Sequence, residues 1–332
     1  MIIAVDAEGG DYAPREIVKG AIEAVRAYPV EVVLVGRKSI LEMLLRRYSK
    51  VSGVSIVDAT EVVRGDEEPI QAVQSKPNSS VVVGAKLVRD GIVDGFVSAG
   101  STGATVVASF LNLKMVPCIE RMALCAVADL NQPQPTLIVD VGVNVNCKPI
   151  FLVQFAQLAN ILAKQVLAIE SPRVGLLNVG EEEVKGSTLA REAYQMLKKA
   201  NLNFIGNVEG FDVLRGKADI IVTDGFTGNV LIKTIEGYSE VVQELLELGE
   251  MAQIDQYLTG PALAQYVQLA SVVRKLDYTQ YGGACLLGLE GNIVIAHGRS
   301  RAAAIRNAIY LAYLAARQGI VEAVKAGTYV TG

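Results

Sequence analysis

The 332 residues carry 31 Lys and Arg against 35 Asp and Glu, a net charge of -4, which lacks the marked basic excess of a general nucleic-acid binder. Hydrophobic residues make up 51% of the chain, yet every apolar run breaks before the ~18 residues that a membrane-spanning helix needs. The four cysteines, Cys118, Cys125, Cys147 and Cys285, form no CxxC pair and lie far in sequence from the single His297, so neither a zinc site nor a disulfide framework is signalled.

In chain order, "MIIAVDA" reads as a buried strand followed by the helix "REIVKGAIEAVRAY"; "EVVLVG" precedes "KSILEMLLRRYS", and "GIVDGFVSAG" precedes "ATVVASFLNL". The alternation continues through "TLIVDVG" and "IFLVQFAQLANILAKQV", then "RVGLLNVG" and "GSTLAREAYQMLKKA". It ends with "ADIIVTDG" and "VLIKTIEGYSEVVQELLEL", and "NIVIAHG" and "RAAAIRNAIYLAYLAAR". Strands apolar along their length, each followed by a helix with apolar residues three to four apart, predict a three-layer α/β fold: a mostly parallel sheet with helices on both faces. Residues 1–332 read as one α/β unit, with a helical hairpin inserted at 249–278. The opening "MIIAVDAEGG" has no basic start and no cleavage site, so a cytoplasmic location is expected.

Ligands of such sheets sit beyond the carboxyl ends of the strands. Seven polar, glycine-rich turns are expected on that one rim: "DAEGGDYAP", "SAGSTGA", "DVGVNVNCKP", "NVGEEEVKGS", "GNVEGFD", "TDGFTGN" and "AHGRS". None has the P-loop or dinucleotide spacing. Open amides at a helix N-terminus favour an anion, and a phosphate is the expected one. Ser101, Thr102 and Gly103, and Thr227, Gly228 and Asn229, are the expected cradles, with Lys148, Lys185 and Lys233 as countercharges. Asp6, Asp11, Asp140 and Asp224 either orient these groups or satisfy backbone donors. Gly9, Gly10, Ser98 and Gly100 belong to the first two turns, while Asn144, Asn178, Asn207 and Glu209 either shape the pocket or stabilise their own turns. His297 reads as a general acid or base, or as a rim histidine. Cys147 reads as a buried thiol more readily than as a covalent nucleophile.

DAEGGD, SAGSTGA, DVGVN followed by CKP, GLLN with a later KG, GNVEG, DGFTGN followed by KT, YGGA with LLG, and HG before a last helix occur in this order over nearly the whole chain. In this the sequence resembles the phosphate acyltransferase (PlsX) family of phospholipid synthesis. The resemblance implies a fold similar to isocitrate and isopropylmalate dehydrogenases, and a homodimer. It implies transfer of the acyl group of acyl-[acyl-carrier protein] to inorganic phosphate, giving acyl phosphate and free carrier protein, with no cofactor and no metal. Lys185, Asn229, Lys233 and His297 are then the expected catalytic residues. Glu8, Ser101 and Asn146 depart from the family pattern, and Asn146 stands where the family carries a carboxylate. Attack of phosphate on a thioester needs no enzyme nucleophile, so positioned donors should dominate. Rival readings are a coenzyme A-dependent phosphotransacetylase, an NAD-dependent dehydrogenase of the same fold, and a noncatalytic membrane scaffold.

Within 249–278, Ile254, Tyr257, Leu258, Leu263 and Val267 suggest two amphipathic helices broken near Pro261, followed by Arg274 and Lys275. A dimer-interface hairpin accounts for the pattern. The resemblance adds peripheral contact with an anionic membrane, and delivery of acyl phosphate to a downstream glycerol-3-phosphate acyltransferase. Arg121, Arg274, Lys275, Arg299 and Arg301 are the cations expected to meet acidic carrier protein.

Overall fold

The computed structural model describes residues 1–48, 51–128, 134–251, 260, 282–327 and 329–330, with the side chains of 243 and 245–251 excepted. The hairpin expected at 249–278, with Ile254, Tyr257, Leu258, Leu263 and Val267, lies outside the described residues apart from 249–251 and 260.

The apolar runs form β1 (Ile2–Asp6), β2 (Glu31–Gly36), β4 (Gly95–Ser98), β6 (Thr136–Val139), β7 (Arg173–Leu177), β9 (Ile220–Val222) and β11 (Ile293–Ile295). Four further strands complete the sheet: β3 (Val54–Asp58), β5 (Ala123–Ala128), β8 (Asn203–Val208) and β10 (Ala284–Leu287). Among the described residues these eleven make one sheet in the order β3-β2-β1-β4-β11-β10-β5-β6-β9-β7-β8.

Side chains alternate across that sheet as strand geometry requires. Ile3 and Val5 meet one core and Ala4 the other; in β5, Cys125 and Val127 face the first, Leu124 and Ala126 the second. The first core holds α1 (Arg15–Ala27), α2 (Lys38–Leu45), α6 (Pro149–Val166), α7 (Thr188–Leu197), α10 (Ala302–Arg317) and α11 (Ile320–Ala326). The second holds α4 (Ser80–Arg89), α5 (Thr102–Asn112), the short α3 (Pro69–Ser75) and α8 (Gly210–Val213), and part of α9 (Gly225–Met251). Each fully buried side chain such as Phe155, Leu158 or Phe96 contributes roughly 1.5–3 kcal/mol relative to exposure. Local signals set the helix starts. Ser101 and Ser187 accept N–H bonds from Ala104 and Ala190, and Pro69 and Pro149 occupy first turns where no donor is missed.

The three-layer expectation holds, but the single rim does not. Strands β1 to β4 and β11 run in parallel, and so do β6 to β9. Between these blocks the pairs β11–β10, β10–β5 and β5–β6 are all antiparallel, so the blocks run in opposite directions. The turns after β1, β4 and β11 therefore leave strand ends that point one way. The turns after β6, β7, β8 and β9 leave ends that point the other. Among the described residues, α9 crosses the sheet face and brings residues of the two sets together.

Candidate active site

Helix α9 starts on the turn after β9, and its first residues are fixed by the turn after β6. Asp140 is wholly buried; its carboxylate accepts from the amides of Leu124 at 3.0 Å, Val143 at 3.3 Å and Asn144 at 2.7 Å, and from Asn144 Nδ2 at 2.8 Å. Asn144 Nδ2 also donates to the Met122 carbonyl at 2.8 Å, and the Asn144 carbonyl accepts from the Gly225 amide at 2.7 Å. The two backbones approach so closely that a Cβ on Gly228 would lie 1.9 Å from the Asp140 carbonyl oxygen, and one on Gly225 would lie 2.8 Å from Asn144. Asp224 caps the helix, accepting from the Thr227 amide at 2.9 Å and the Thr227 hydroxyl at 2.8 Å. The glycines of "TDGFTGN" thus seat the helix, and the donors of Thr227 are engaged by Asp224. Asn229, one residue on, rests against the bare Cα of Gly142.

From there α9 carries a polar stripe across the sheet. Asn229, Lys233 and Glu236 follow at the spacing that puts residues on one helical face, and they line a cleft with Thr102, His297 and Ser300. Thr102 and Gly103 open α5; their amides meet no acceptor among the described residues. The cleft floor is apolar, formed by Leu124 and Ala126 of β5, Ala284 of β10 and Ile295 of β11. Lys233 is the one lysine or arginine among the described residues lining it.

His297 Nδ1 accepts the Arg299 amide at 3.2 Å, and Nε2 lies 3.7 Å from Glu236 Oε2. Burial, with help from Lys233 and Arg299, pushes the imidazole below its ordinary pKa, against Glu240 and Asp11. Burial raises the Glu236 carboxyl, and Glu240 adds to this while Lys233 and Arg299 oppose it. One step along the helix, Glu240 pairs with Arg299 at 3.3 Å.

Under α5, Asp6 is 3% exposed and ties two turns together. It accepts from Ser98 Oγ at 2.8 Å and from the Glu8 and Gly9 amides, each at 3.1 Å. Ser98 Oγ accepts the Gly100 amide at 3.1 Å, and Ser101 caps α5. Gly9 leaves no space for a side chain: its Cβ would lie 2.5 Å from Asp6 Oδ2 and 2.7 Å from the Gly100 nitrogen. Gly10, at φ +104°, lets the Asp11 amide reach the Gly298 carbonyl at 2.8 Å, so Asp11 lies beside the His297 turn. Glu8 grips Arg37 through both carboxylate oxygens.

The remaining expected residues lie apart from the cleft lining. Asn178 donates to the Lys185 carbonyl at 3.2 Å, and Asn207, 3% exposed, donates to the Glu182 carbonyl at 2.9 Å. The Glu209 amide donates to Asp212 at 3.1 Å. These four hold the turns after β7 and β8. Lys148 begins α6, its Nζ 5.9 Å from the Phe151 ring centre. Cys147 donates to the Asn144 carbonyl, and burial followed by Asp140 and Asp224 pushes its thiol up to about 11. That thiol is a poor nucleophile near neutral pH. Glu236 escaped the sequence reading; the signal was present as the four- and three-residue steps from Asn229 to Lys233 to Glu236.

The fold is shared with several solved α/β proteins. A phosphotransacetylase from Streptococcus pyogenes superposes with a TM-score of 0.64 at 19% identity, covering 97% of this chain and 94% of that one. A putative 4-hydroxythreonine-4-phosphate dehydrogenase from Salmonella typhimurium gives 0.58 at 12%, covering 95% and 98%. The chain belongs to the fatty acid synthesis protein family, whose profile matches residues 1–323. It is 47% identical over 320 residues to the phosphate acyltransferase of Dehalococcoides mccartyi, covering 96% of this chain and 92% of that one. Identity to the phosphate acyltransferase of Heliobacterium modesticaldum is 44% over 331 residues, covering 98% and 97%. Among the described residues no helix is long and apolar enough to cross a membrane.

Proposed function

We propose that this protein is a phosphate acyltransferase that moves the acyl group of acyl-[acyl-carrier protein] onto inorganic phosphate. The observation that carries the reading is the cleft: the open amide of Thr102, the Asn229 side-chain amide, the Lys233 cation and His297 converge over an apolar floor. Such a set binds a phosphate and leaves donors for a second oxygen. With Cys147 held as a thiol, the attacking group is the phosphate itself. The 47% identity to a phosphate acyltransferase supports the same reaction.

The test is release of carrier-protein thiol from long-chain acyl-carrier protein with and without phosphate. Thiol release that requires phosphate is expected; release only from acyl-coenzyme A would move the reading to a phosphotransacetylase.

The finer proposals rest on sequence pattern and resemblance. The enzyme works as a homodimer at the cytoplasmic membrane surface. Basic side chains, among them Arg299 and Arg301, meet the acidic carrier protein, and acyl phosphate passes to a glycerol-3-phosphate acyltransferase. Ile254, Tyr257, Leu258, Leu263 and Val267 supply the apolar contact with anionic lipid. Leu258→Glu is expected to leave turnover on soluble substrate intact and to lower flotation with anionic liposomes several-fold; equal flotation removes this contact from the proposal.

A further inference from the structure

The cleft reaches past its polar stripe to helix α10. Ala304 of α10 lines it, and so does Gly282, just before β10. Gly282 lies directly against the α10 backbone, where an added Cβ would sit 2.7 Å from the carbonyl carbon of Asn307. Asn307 in turn lines a second cavity. The two spaces are thus about one helical turn apart.

That cavity is the larger, at about 410 Å³ against about 120 Å³ for the cleft. Its walls are Val166 and Leu167 at the end of α6, Leu311 and Leu314 of α10, and Tyr28 and Tyr310, whose rings stack with centres 4.1 Å apart. All of these but Leu311 are only partly buried against the first core, which leaves apolar surface facing the cavity. Among the described residues no charged side chain lines it. Such walls offer a phosphate nothing and a hydrocarbon a place out of water.

One face of α10 joins the two spaces. Ala304, Asn307, Leu311 and Leu314 follow at steps of three, four and three residues, the spacing of a single helix face. The first lines the cleft and the others line the cavity. At a rise of about 1.5 Å per residue Leu314 lies roughly 15 Å along the helix from Ala304, a span that an extended hydrocarbon, advancing roughly 1.25 Å per carbon, covers in about twelve carbons. That is the reach of a long fatty acyl chain and far beyond that of an acetyl group.

We propose that the acyl chain of the thioester substrate leaves the cleft past Gly282 and lies along this face of α10 with its end in the cavity, so that Leu314 sets the preferred chain length. The proposal rests on the acyl-transfer reading above for the reacting end of the substrate; binding of a chain in the cavity stands independently of it.

Wild type, Leu314→Trp and Leu314→Ala are compared in the thiol-release assay with octanoyl-, palmitoyl- and stearoyl-carrier protein at saturating phosphate. Wild type should favour palmitoyl over octanoyl carrier protein. Leu314→Trp fills the far end of the cavity, so kcat/KM for the palmitoyl substrate should fall at least tenfold while that for the octanoyl substrate, whose chain ends earlier, stays within twofold. Leu314→Ala should raise the stearoyl-to-palmitoyl ratio. Each ratio is taken within one variant, so a partly folded sample does not alter it. Binding is read apart from turnover with cis-parinarate, a fluorescent long-chain fatty acid, whose Kd should rise at least tenfold in Leu314→Trp.

An equal loss on every chain length in Leu314→Trp, an unchanged palmitoyl-to-octanoyl ratio, or the same Kd for cis-parinarate as in wild type overturns the proposal. So does a changed oligomeric state in light scattering with the ratio unchanged, which would make the cavity a seat for a second copy of the chain. If Leu314→Trp weakens cis-parinarate binding but wild type releases no thiol from any of the three substrates, the cavity holds a chain and the acyl-transfer reading falls.

Discussion

Gly228→Ala destabilises the folded protein by about 3 kcal/mol or more, the upper range for forcing a methyl group into filled space. The magnitude follows from what the new Cβ meets. At 1.9 Å it would strike the carbonyl oxygen of Asp140, a backbone atom that cannot rotate away. The residue bearing that oxygen is itself fixed, since its carboxylate accepts from the amides of Leu124, Val143 and Asn144. Either α9 lifts from the β6 turn or the Asp140 network breaks. Gly237→Ala, further along the same helix, supplies the opposite sign, because among the described residues nothing lies within 4 Å of the added Cβ. There the change removes only the entropic cost of glycine in a helix and stabilises by about 0.5–1 kcal/mol. Urea midpoints for the two variants at equal slope measure both effects. An unchanged midpoint for Gly228→Ala would mean that α9 does not seat on Asp140. Catalysis should suffer as well, because a shift near 1 Å in Asn229 and Lys233 costs on the order of a hundredfold.

The same contact explains what the sequence could and could not reveal. Seven strands were legible because "IIAVD", "EVVLV" and similar runs are β-branched and apolar on both faces, a pattern that buried strands produce and exposed ones do not. Strands β5 and β10 were not, since "ALCAVA" and "ACLL" are dominated by residues without strong strand preference. Missing them hid the antiparallel centre of the sheet, and with it the division of the turns between two sets of strand ends. Strand direction is settled by pairing between segments distant in sequence, such as Cys285 with Cys125.

For the site, glycine turns mark where chain and chemistry can meet, so Thr102, Asn229, Lys233 and His297 were legible and do line one cleft. For the aspartates, the structure takes the turn-stabilising alternative. Asp6, Asp140 and Asp224 stand at strand ends as ligands would, and all three satisfy backbone donors. Thr227 was read as a cradle donor but bonds Asp224. Glu236 was passed over for a different reason: its relation to Lys233 runs along a helix face, and its relation to His297 exists only after the chain has closed across the sheet.

Lys233→Ala lowers kcat/KM for phosphate by about 10²- to 10³-fold, the range for loss of a charge-stabilising donor from an organised site. Among the described residues it is the one lysine or arginine in the cleft lining, so no neighbouring cation there can take over. Most of the loss should fall on KM for phosphate, because the countercharge meets the dianion before reaction as well as during it. The variant has a second consequence with a fixed sign. Lys233 helps to hold the His297 imidazole below its ordinary pKa; without it the ring keeps its proton to higher pH, and the single histidine signal should titrate later. Lys233→Arg separates the two effects. It retains the charge, so titration of His297 should stay near wild type, but a planar guanidinium presents its donors differently from an ammonium point and turnover should recover only in part. If kcat/KM for phosphate were the same in Lys233→Ala and wild type while His297 titrated later, Lys233 would act on the imidazole alone. The phosphate would then be held by the α5 amides and Asn229.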